Sequence, residues 1–275
     1  MDGQGMNAAA RDWRSVGRSI RETLWPTANL NLLGTTYRVR RESRIRQAER
    51  DYAILKTLAA GKRCVLDVGA NMGLTSLVMV GAMDPAGIIL AFEASEAACR
   101  LIRQNVVLNG YGRQIMIINA VVAERTGMTI DFYGDHASAG SSIIPGYLAH
   151  TQPLSKTTLA LDDYLEHSGY APDLIKIDVE GAELRVIAGL ARTMLAARPL
   201  LFIELHSWES ATIPGSAAEL LDQLRPANYS LVYLRTKHVV CDPVAFAGRG
   251  RCHVLACPDE SPVLQDLESL NTEGL

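Results

Sequence analysis

Short apolar runs alternate with amphipathic segments along most of the chain. The runs lie at 64–68, 88–92, 115–118, 174–177 and 199–205. Such runs are typical of strands buried on both faces of a parallel sheet. The segments at 74–80 and 95–109 instead have helical spacing of apolar residues, with Ser95 as a predicted N-cap. The pattern predicts an α/β fold with a doubly wound sheet.

The two ends of the chain depart from this alternation. Near the C-terminus, strands at 230–234 and 251–256 suit an antiparallel hairpin at the sheet edge, and 129–133 is a further predicted strand. At the N-terminus, the pattern predicts an amphipathic helix from Arg11 to Pro26, a hairpin over 29–41 and an Arg-rich helix over 43–59.

We therefore divide the chain into a helical, Arg-rich extension (1–50) and a main domain (51–275). The extension carries an apolar stripe beside a basic one, so we expect it to dock on its own domain or to form a homo-oligomer. A membrane surface or an acidic partner is the alternative for such a helix.

Composition narrows the class of protein. The 275 residues are 48% hydrophobic, enough for one large core, and the net charge of −3 gives no general attraction for nucleic acid. No apolar run reaches membrane-spanning length. Five cysteines without a CxxC pair are expected to be reduced thiols, which together with the absent signal sequence predicts a cytoplasmic protein.

The turn at 65–73, Val-Leu-Asp-Val-Gly-Ala-Asn-Met-Gly, is the most informative stretch. Gly69 and Gly73 suit a sharp βα turn that approaches a ligand closely. Asp67 precedes the first glycine, where a carboxylate would disfavour a dinucleotide pyrophosphate, and the loop is not GxGxxG. S-adenosylmethionine (SAM), which carries an ammonium and a sulfonium, is the better match.

Polar residues after the neighbouring strands extend this prediction. Glu93 ends the next run, where an acid meets ribose hydroxyls, and Asn119 ends the third near the expected adenine. The predicted cofactor-binding residues are Asp67, Gly69, Ala70, Asn71, Gly73, Glu93, Ala94, Asn119, Ala120 and Asp178.

Two later strands carry charges that are costly to bury unless they are paired or liganded. Lys176 and Asp178 share one face, and Glu204 and His206 share another. Lys176 with Glu204 could form a structural pair across adjacent strands. Asp178 and His206 lie at strand ends, where ligands bind, and are predicted site residues.

The stretch 134–157 is rich in Gly, Ser and Pro and is long for an idle connection. We expect this stretch to be either a lid over the substrate or a flexible loop without a role in binding. It contains His136 and His150, which are the next catalytic candidates if His206 is not the base.

Taken together, these motifs resemble the FkbM family of SAM-dependent methyltransferases. The matching pieces lie at 65–73, 92–94, 105–109, 161–165, 175–183 and 203–205, within roughly residues 60–210. The resemblance implies a class I methyltransferase (Rossmann-like) fold with a seven-stranded sheet. It also implies O-methylation of a hydroxyl on a natural product, sugar or glycolipid-type small molecule.

Methyl transfer requires in-line alignment and removal of the hydroxyl proton. His206, with an ordinary pKa near 6 to 7, is the predicted base, and Asp178 and Lys176 complete the predicted catalytic set. A Mg²⁺ ion held by Asp178 and Glu204, with His206 as a further ligand, is an alternative that the sequence does not require.

Two other functions stay open at this point. A nucleic-acid methyltransferase would use the Arg-rich segment as a phosphate track, although the slightly acidic chain disfavours it. A non-catalytic SAM-binding protein is the second. A NAD-dependent dehydrogenase is disfavoured by Asp67 and the missing GxGxxG motif.

Overall fold

A computed structural model describes residues 26–45, 51–134, 141–144, 152–207, 212–272 and 275. The helix predicted before Pro26, together with His136 and His150, lies outside these described residues.

The described residues form strands and helices in alternation through the middle of the chain. The strands are β1 (Thr27–Leu32), β2 (Thr35–Arg40), β3 (Cys64–Val68), β4 (Ile88–Glu93), β5 (Ile115–Asn119), β6 (Val121–Val122), β7 (Thr129–Phe132), β8 (Leu154–Leu159), β9 (Leu174–Ile177), β10 (Leu200–His206), β11 (Tyr229–Tyr233), β12 (His238–Val239) and β13 (Arg251–Pro258). The helices are α1 (Tyr52–Leu58), α2 (Leu74–Val80), α3 (Glu96–Leu108), α4 (Leu161–Ser168), α5 (Glu183–Ala188), α6 (Ala191–Ala196) and α7 (Ile213–Leu224).

The main sheet has the strand order β12-β11-β13-β10-β9-β3-β4-β5. Strands β3, β4, β5, β9 and β10 are parallel, so their carboxyl ends meet at one edge. The predicted doubly wound sheet with an antiparallel C-terminal strand is therefore confirmed, and β13 runs antiparallel to β10 and β11. This sheet has eight strands where seven were expected, because the two-residue β12 adds to its edge.

The structure confirms the predicted antiparallel C-terminal hairpin and adds it to the sheet beside β10. Strand β13 pairs with β11, but it also pairs with β10 and so lies inside the sheet. The edge is formed by β11 and β12 instead.

Apolar side chains cover both faces of the central strand. All five residues of β3 are buried, and successive residues point to opposite faces. Val65 packs with Ile89 in one core cluster, whereas Leu66 packs with Leu90 in the other. Burial on both faces explains why the strand is a continuous apolar run rather than an alternating one.

Residues 26–45 pack on the main domain as a β-hairpin. Thr27 of β1 pairs with Arg40 of β2, which confirms the predicted hairpin. Tyr37 and Val39 are buried in the core cluster that contains Val65. The helix predicted over 43–59 is shorter than expected in its described part, since α1 begins only at Tyr52.

A small three-stranded sheet, in the order β6-β8-β7, lies beside the main one. The strand predicted at 129–133 is β7 of this sheet. None of the described helices has the length and apolar character needed to cross a bilayer.

Candidate active site

The turn after β3 is shaped by the end of a neighbouring strand. Gly69 has a φ of +79°, and a Cβ there would lie 1.8 Å from the backbone oxygen of Asp178. The amides of Gly69 and Ala70 both donate to the carbonyl of Phe92 at 3.0 Å. Glycine is therefore required by the close approach of the backbone after β9, a constraint that the sequence does not reveal.

A cavity of about 690 Å³ opens beside this turn, and we name it the cofactor cavity. It is lined by the predicted residues Gly69, Asn71, Glu93, Ala94, Ala120 and Asp178, and also by Phe92, Val121, Phe132, Ser142, Ile143 and Glu180. The structure thus brings six of the predicted cofactor-binding residues together.

Glu93 is held rigidly at the end of β4. It is 7% exposed, and its carboxylate accepts hydrogen bonds from the amides of Asn71 at 2.8 Å and Ser95 at 2.7 Å. Burial raises the pKa of Glu93 above its usual value, and these two hydrogen bonds oppose that rise. The carboxylate faces the cofactor cavity with its orientation already set.

The other predicted cofactor residues support the cavity from outside. Asn119 donates from Nδ2 to the carbonyls of Glu93 at 2.8 Å and Ala94 at 3.0 Å. Gly73, with a φ of +77°, is the N-cap residue immediately before α2. Ala70 lines a second cavity, described below.

Asp67 lies behind the cavity wall. It is fully buried, accepts from the Ser76 hydroxyl at 2.6 Å, and lies 3.5 Å from Lys176 Nζ. It lines neither cavity among the described residues. The expected direct contact with a cationic cofactor group is therefore not what this geometry provides.

Lys176 is a buried cation at the centre of the strand ends. Its Nζ lies 3.5 Å from Asp67 and 3.2 Å from Asp178, and donates to the carbonyl of Gly69 at 3.0 Å. Burial alone would lower the pKa of Lys176, but the charges of Asp178 and Asp67 raise it above its usual value. The predicted alternative pairing of Lys176 with Glu204 is wrong, because Lys176 is in register with Asp67 of β3 and contacts that residue instead.

Carboxylates surround His206 at the end of β10. Its Nδ1 lies 3.0 Å from Glu183, and its Nε2 lies 3.3 Å from Glu180, 3.5 Å from Glu204 and 4.0 Å from Asp178. Burial alone would lower the pKa of His206, but the hydrogen bond to Glu183 and the charges of Glu183, Asp178 and Glu180 raise it to about 9. The ring is thus protonated near neutral pH, unlike the histidine of pKa 6 to 7 expected from the sequence.

Glu180 and Glu183 are site residues that the sequence-based prediction omitted. Both follow Asp178 within the turn Asp-Val-Glu-Gly-Ala-Glu at 178–183. The concentration of acidic residues in one turn after a buried strand is the sequence feature that could have indicated them as site residues.

A second cavity, of about 750 Å³, lies on the other side of Gly69, and we name it the polar cavity. It shares Gly69, Asn71, Asp178 and Glu180 with the cofactor cavity. Its other acidic and basic lining residues are Asp51, Lys176, Glu204, Arg251 and His253. Asp51, Arg251 and His253 are a further omission of the prediction, because they come from elements far apart in the chain.

Two groups of side chains in this region have the spacing of metal ligands. Asp178, Glu204 and His206 each offer one ligand atom within 4.8 Å of the others, and so do Asp51, Glu204 and His253. The structure therefore brings the predicted metal ligands together, while their occupation by Mg²⁺ stays a prediction.

Comparison with known proteins identifies similar sequences. A family model described as the methyltransferase FkbM domain matches residues 67–231. The chain is 30% identical to the AMB antimetabolite synthetase AmbE of Pseudomonas aeruginosa, over 58% of this chain and 9% of that protein. It is 27% identical to the 2-O-methyltransferase NoeI of Sinorhizobium fredii, over 66% of this chain and 79% of that protein.

A solved structure is also similar. The methyltransferase FkbM of Methylobacillus flagellatus aligns with a TM-score of 0.45 and 16% identity, covering 72% of this chain and 44% of that one.

Proposed function

Because the chain belongs to the FkbM family of SAM-dependent methyltransferases, we propose that it transfers a methyl group from SAM to a hydroxyl of a small molecule. The name of one relative, a 2-O-methyltransferase, supports oxygen as the methylated atom. Natural products, sugars and glycolipid-type molecules are the proposed acceptor class.

The cofactor cavity suits SAM by the placement of its acids. SAM supplies an electrophilic methyl group on its sulfonium. Glu93 would accept hydrogen bonds from the ribose hydroxyls, since its carboxylate is fixed by two amides and lines the cavity. Asp178 and Glu180 supply negative charge where the cationic part of the cofactor would lie.

The acceptor would occupy the polar cavity. The main observation that supports this proposal is that the two cavities share four lining residues. These are Gly69, Asn71, Asp178 and Glu180, and each of them borders both cavities. An acceptor hydroxyl at this wall would be within reach of the cofactor's methyl group. The polar lining suits a hydroxyl-rich molecule better than an apolar one.

Asp178 is the group that we propose accepts the hydroxyl proton. Both nitrogens of His206 already face carboxylates within hydrogen-bond distance, Nδ1 at 3.0 Å from Glu183 and Nε2 at 3.3 Å from Glu180, so neither offers a free lone pair. Asp178 borders both cavities, and Lys176 holds its Oδ2 at 3.2 Å. Lys176 and His206 would then act as positioning residues.

The test is methyl transfer by the purified full chain to a panel of monosaccharides, glycolipids and polyketide alcohols. Release of S-adenosylhomocysteine (SAH) and mass spectrometry of the products would be measured. A product methylated on oxygen supports the proposal, whereas methylation of nitrogen or carbon overturns it. Asp178→Asn should lower kcat by about a hundredfold or more with SAH affinity within about threefold of wild type. The exposed Asp131→Asn is the matched control.

A further inference from the structure

Asp51 is a buried carboxylate to which the proposed reaction gives no role. It immediately precedes α1, is 7% exposed and lines the polar cavity. Its side chain makes no helix-capping hydrogen bond. Throughout the described residues it has no ion pair within 4.0 Å. A charge buried in this way is costly unless a cation neutralises it.

The cations that line the same cavity are committed to other acids. Lys176 contacts Asp67, Asp178 and the carbonyl of Gly69. Arg251 Nε lies 2.8 Å from Glu204 Oε1. Neither forms an ion pair within 4.0 Å of Asp51 in the described part of the protein. Burial raises the pKa of Asp51, and the charges of Lys176 and His253 oppose that rise only in part.

Two potential metal ligands converge on Asp51 from different strands. Glu204 of β10 and His253 of β13 are in register as direct neighbours. Each of the three residues offers one ligand atom within 4.8 Å of the others. Glu204 Oε2 and His253 Nε2 are 3.2 Å apart. That spacing is close to the roughly 3 Å between adjacent ligands of a metal coordinated at about 2.1 Å.

The two carboxylate oxygens of Glu204 face different partners. Its Oε1 lies 2.8 Å from Arg251 Nε and 3.5 Å from His206 Nε2, whereas its Oε2 lies 3.2 Å from His253 Nε2. Oε2 is therefore the oxygen that Glu204 offers to an ion held together with Asp51 and His253.

We propose that Asp51, Glu204 and His253 bind a divalent transition-metal ion. Carboxylate oxygens suit Mn²⁺ and Mg²⁺, whereas the imidazole ligand favours a transition metal over Mg²⁺. The proposed ion is therefore of the Mn²⁺ or Zn²⁺ type.

The group formed by Asp178, Glu204 and His206 is the weaker candidate on contacts alone. Both nitrogens of His206 already face acids, Nδ1 towards Glu183 and Nε2 towards Glu180. Asp178 is paired with Lys176 at 3.2 Å. Asp51 has no comparable contact among the described residues, and the one acid within 4.0 Å of His253 there is Glu204, itself a member of the proposed site.

The location of the proposed ion gives it a use. It would lie in the polar cavity, which shares its wall with the cofactor cavity, and it could hold an oxygen of the acceptor there. That use rests on the proposed function, whereas binding of the ion does not.

Mn²⁺ binding to the chelator-treated full chain can be followed by loss of the electron paramagnetic resonance signal of aqueous Mn²⁺. We expect one ion per chain. Asp51→Asn should weaken binding by about tenfold or more, because it removes a charged ligand and keeps the shape. The control is Asp222→Asn, which makes the same change at an exposed carboxylate of α7 paired with Arg225 and should bind Mn²⁺ like wild type.

Two further variants and a stability measurement keep the test decisive. Glu204→Gln should also lose Mn²⁺, whereas Asp178→Asn should bind within about threefold of wild type. Mn²⁺ should raise the Tm of the wild type and of Asp222→Asn but not that of Asp51→Asn.

Three results would overturn the proposal: no Mn²⁺ binding by wild type, unchanged binding by a folded Asp51→Asn variant, or loss confined to Asp178→Asn. Methyl transfer can proceed in each of these cases, so failure of the ion site is distinguishable from failure of the proposed function.

Discussion

Individual buried charges at the strand ends hold one another in place. Lys176 binds two carboxylates and the carbonyl of Gly69, so one cation stabilises the turn beside both cavities. His206 is surrounded by four carboxylates and carries a raised pKa for that reason. Each charged group is tolerated because its neighbours offset its desolvation.

Glu93 offers a direct test of the cofactor cavity. Glu93→Gln should weaken SAH binding about tenfold, roughly 1.4 kcal/mol, because an amide cannot accept from both Asn71 and Ser95 and lacks the charge that strengthens ribose hydrogen bonds. Calorimetry would measure the affinity. The control is Glu96→Gln, an exposed acid on the adjoining helix that pairs with Arg100. Equal SAH affinities of the two variants would show that Glu93 does not bind the cofactor.

Gly69 offers a test of the turn geometry. Gly69→Ala should destabilise the protein by roughly 3 kcal/mol or more, since a left-handed φ is combined with a Cβ 1.8 Å from the Asp178 carbonyl oxygen. Gly110→Ala has a similar φ of +80° and nothing within 4 Å, so it should cost only about 1 kcal/mol. Urea unfolding compares the two, and similar losses would mean that the predicted clash is relieved by backbone movement.

Among the elements, helix α3 connects the N-terminal hairpin to the turn after β3. Asn105 is fully buried and accepts from the Arg40 amide at 2.8 Å. It donates to the Ser43 hydroxyl at 2.8 Å and to the Met72 carbonyl at 2.9 Å. One side chain thus connects β2, the turn that follows it and the loop beside Asn71.

Asn105→Ala should therefore destabilise the protein by roughly 2 to 4 kcal/mol, because it leaves several buried polar groups without partners. Val107→Ala on the same helix, where the side chain is 72% exposed, should change stability by at most about 0.5 kcal/mol. Urea unfolding of both variants is the measurement. If Asn105→Ala unfolds like Val107→Ala, the hairpin is not anchored through this residue.

Considered as a whole, the molecule buries most of its thiols in the sheet and helices. Four of the five cysteines are buried and free, while Cys241 is exposed and free. Burial raises the pKa of Cys64 and Cys99 to about 11, and that of Cys252 and Cys257 to about 12. Thiolate, the reactive form, is therefore scarce at the buried positions.

We expect the native protein to take up one equivalent of iodoacetamide at about pH 7.5, on Cys241, and the unfolded chain to take up five. Intact-mass spectrometry would count the adducts, and Cys241→Ser should abolish native labelling. Rapid labelling of a second cysteine would show that the fold opens locally around it.

Local patterns in the sequence were sufficient to predict much of the architecture. The apolar runs predict β3, β4, β5, β9 and β10 because burial on both faces requires apolar side chains at successive positions. Ser95 predicts its helix start, since its hydroxyl accepts from the amide of Ala98 at 3.1 Å. The acids at strand ends indicate the site, because parallel strands bring their carboxyl ends to one edge.

The tertiary structure alone decided which of these charges meet. Lys176 is in register with Asp67 rather than beside Glu204, and His253 faces Glu204 because β13 is inserted next to β10. Strand order depends on how distant segments pack, and hydrophobic periodicity does not encode it. The raised pKa of His206 and the burial of Asp51 follow from those contacts, since desolvation and neighbouring charges exist only once the chain is folded.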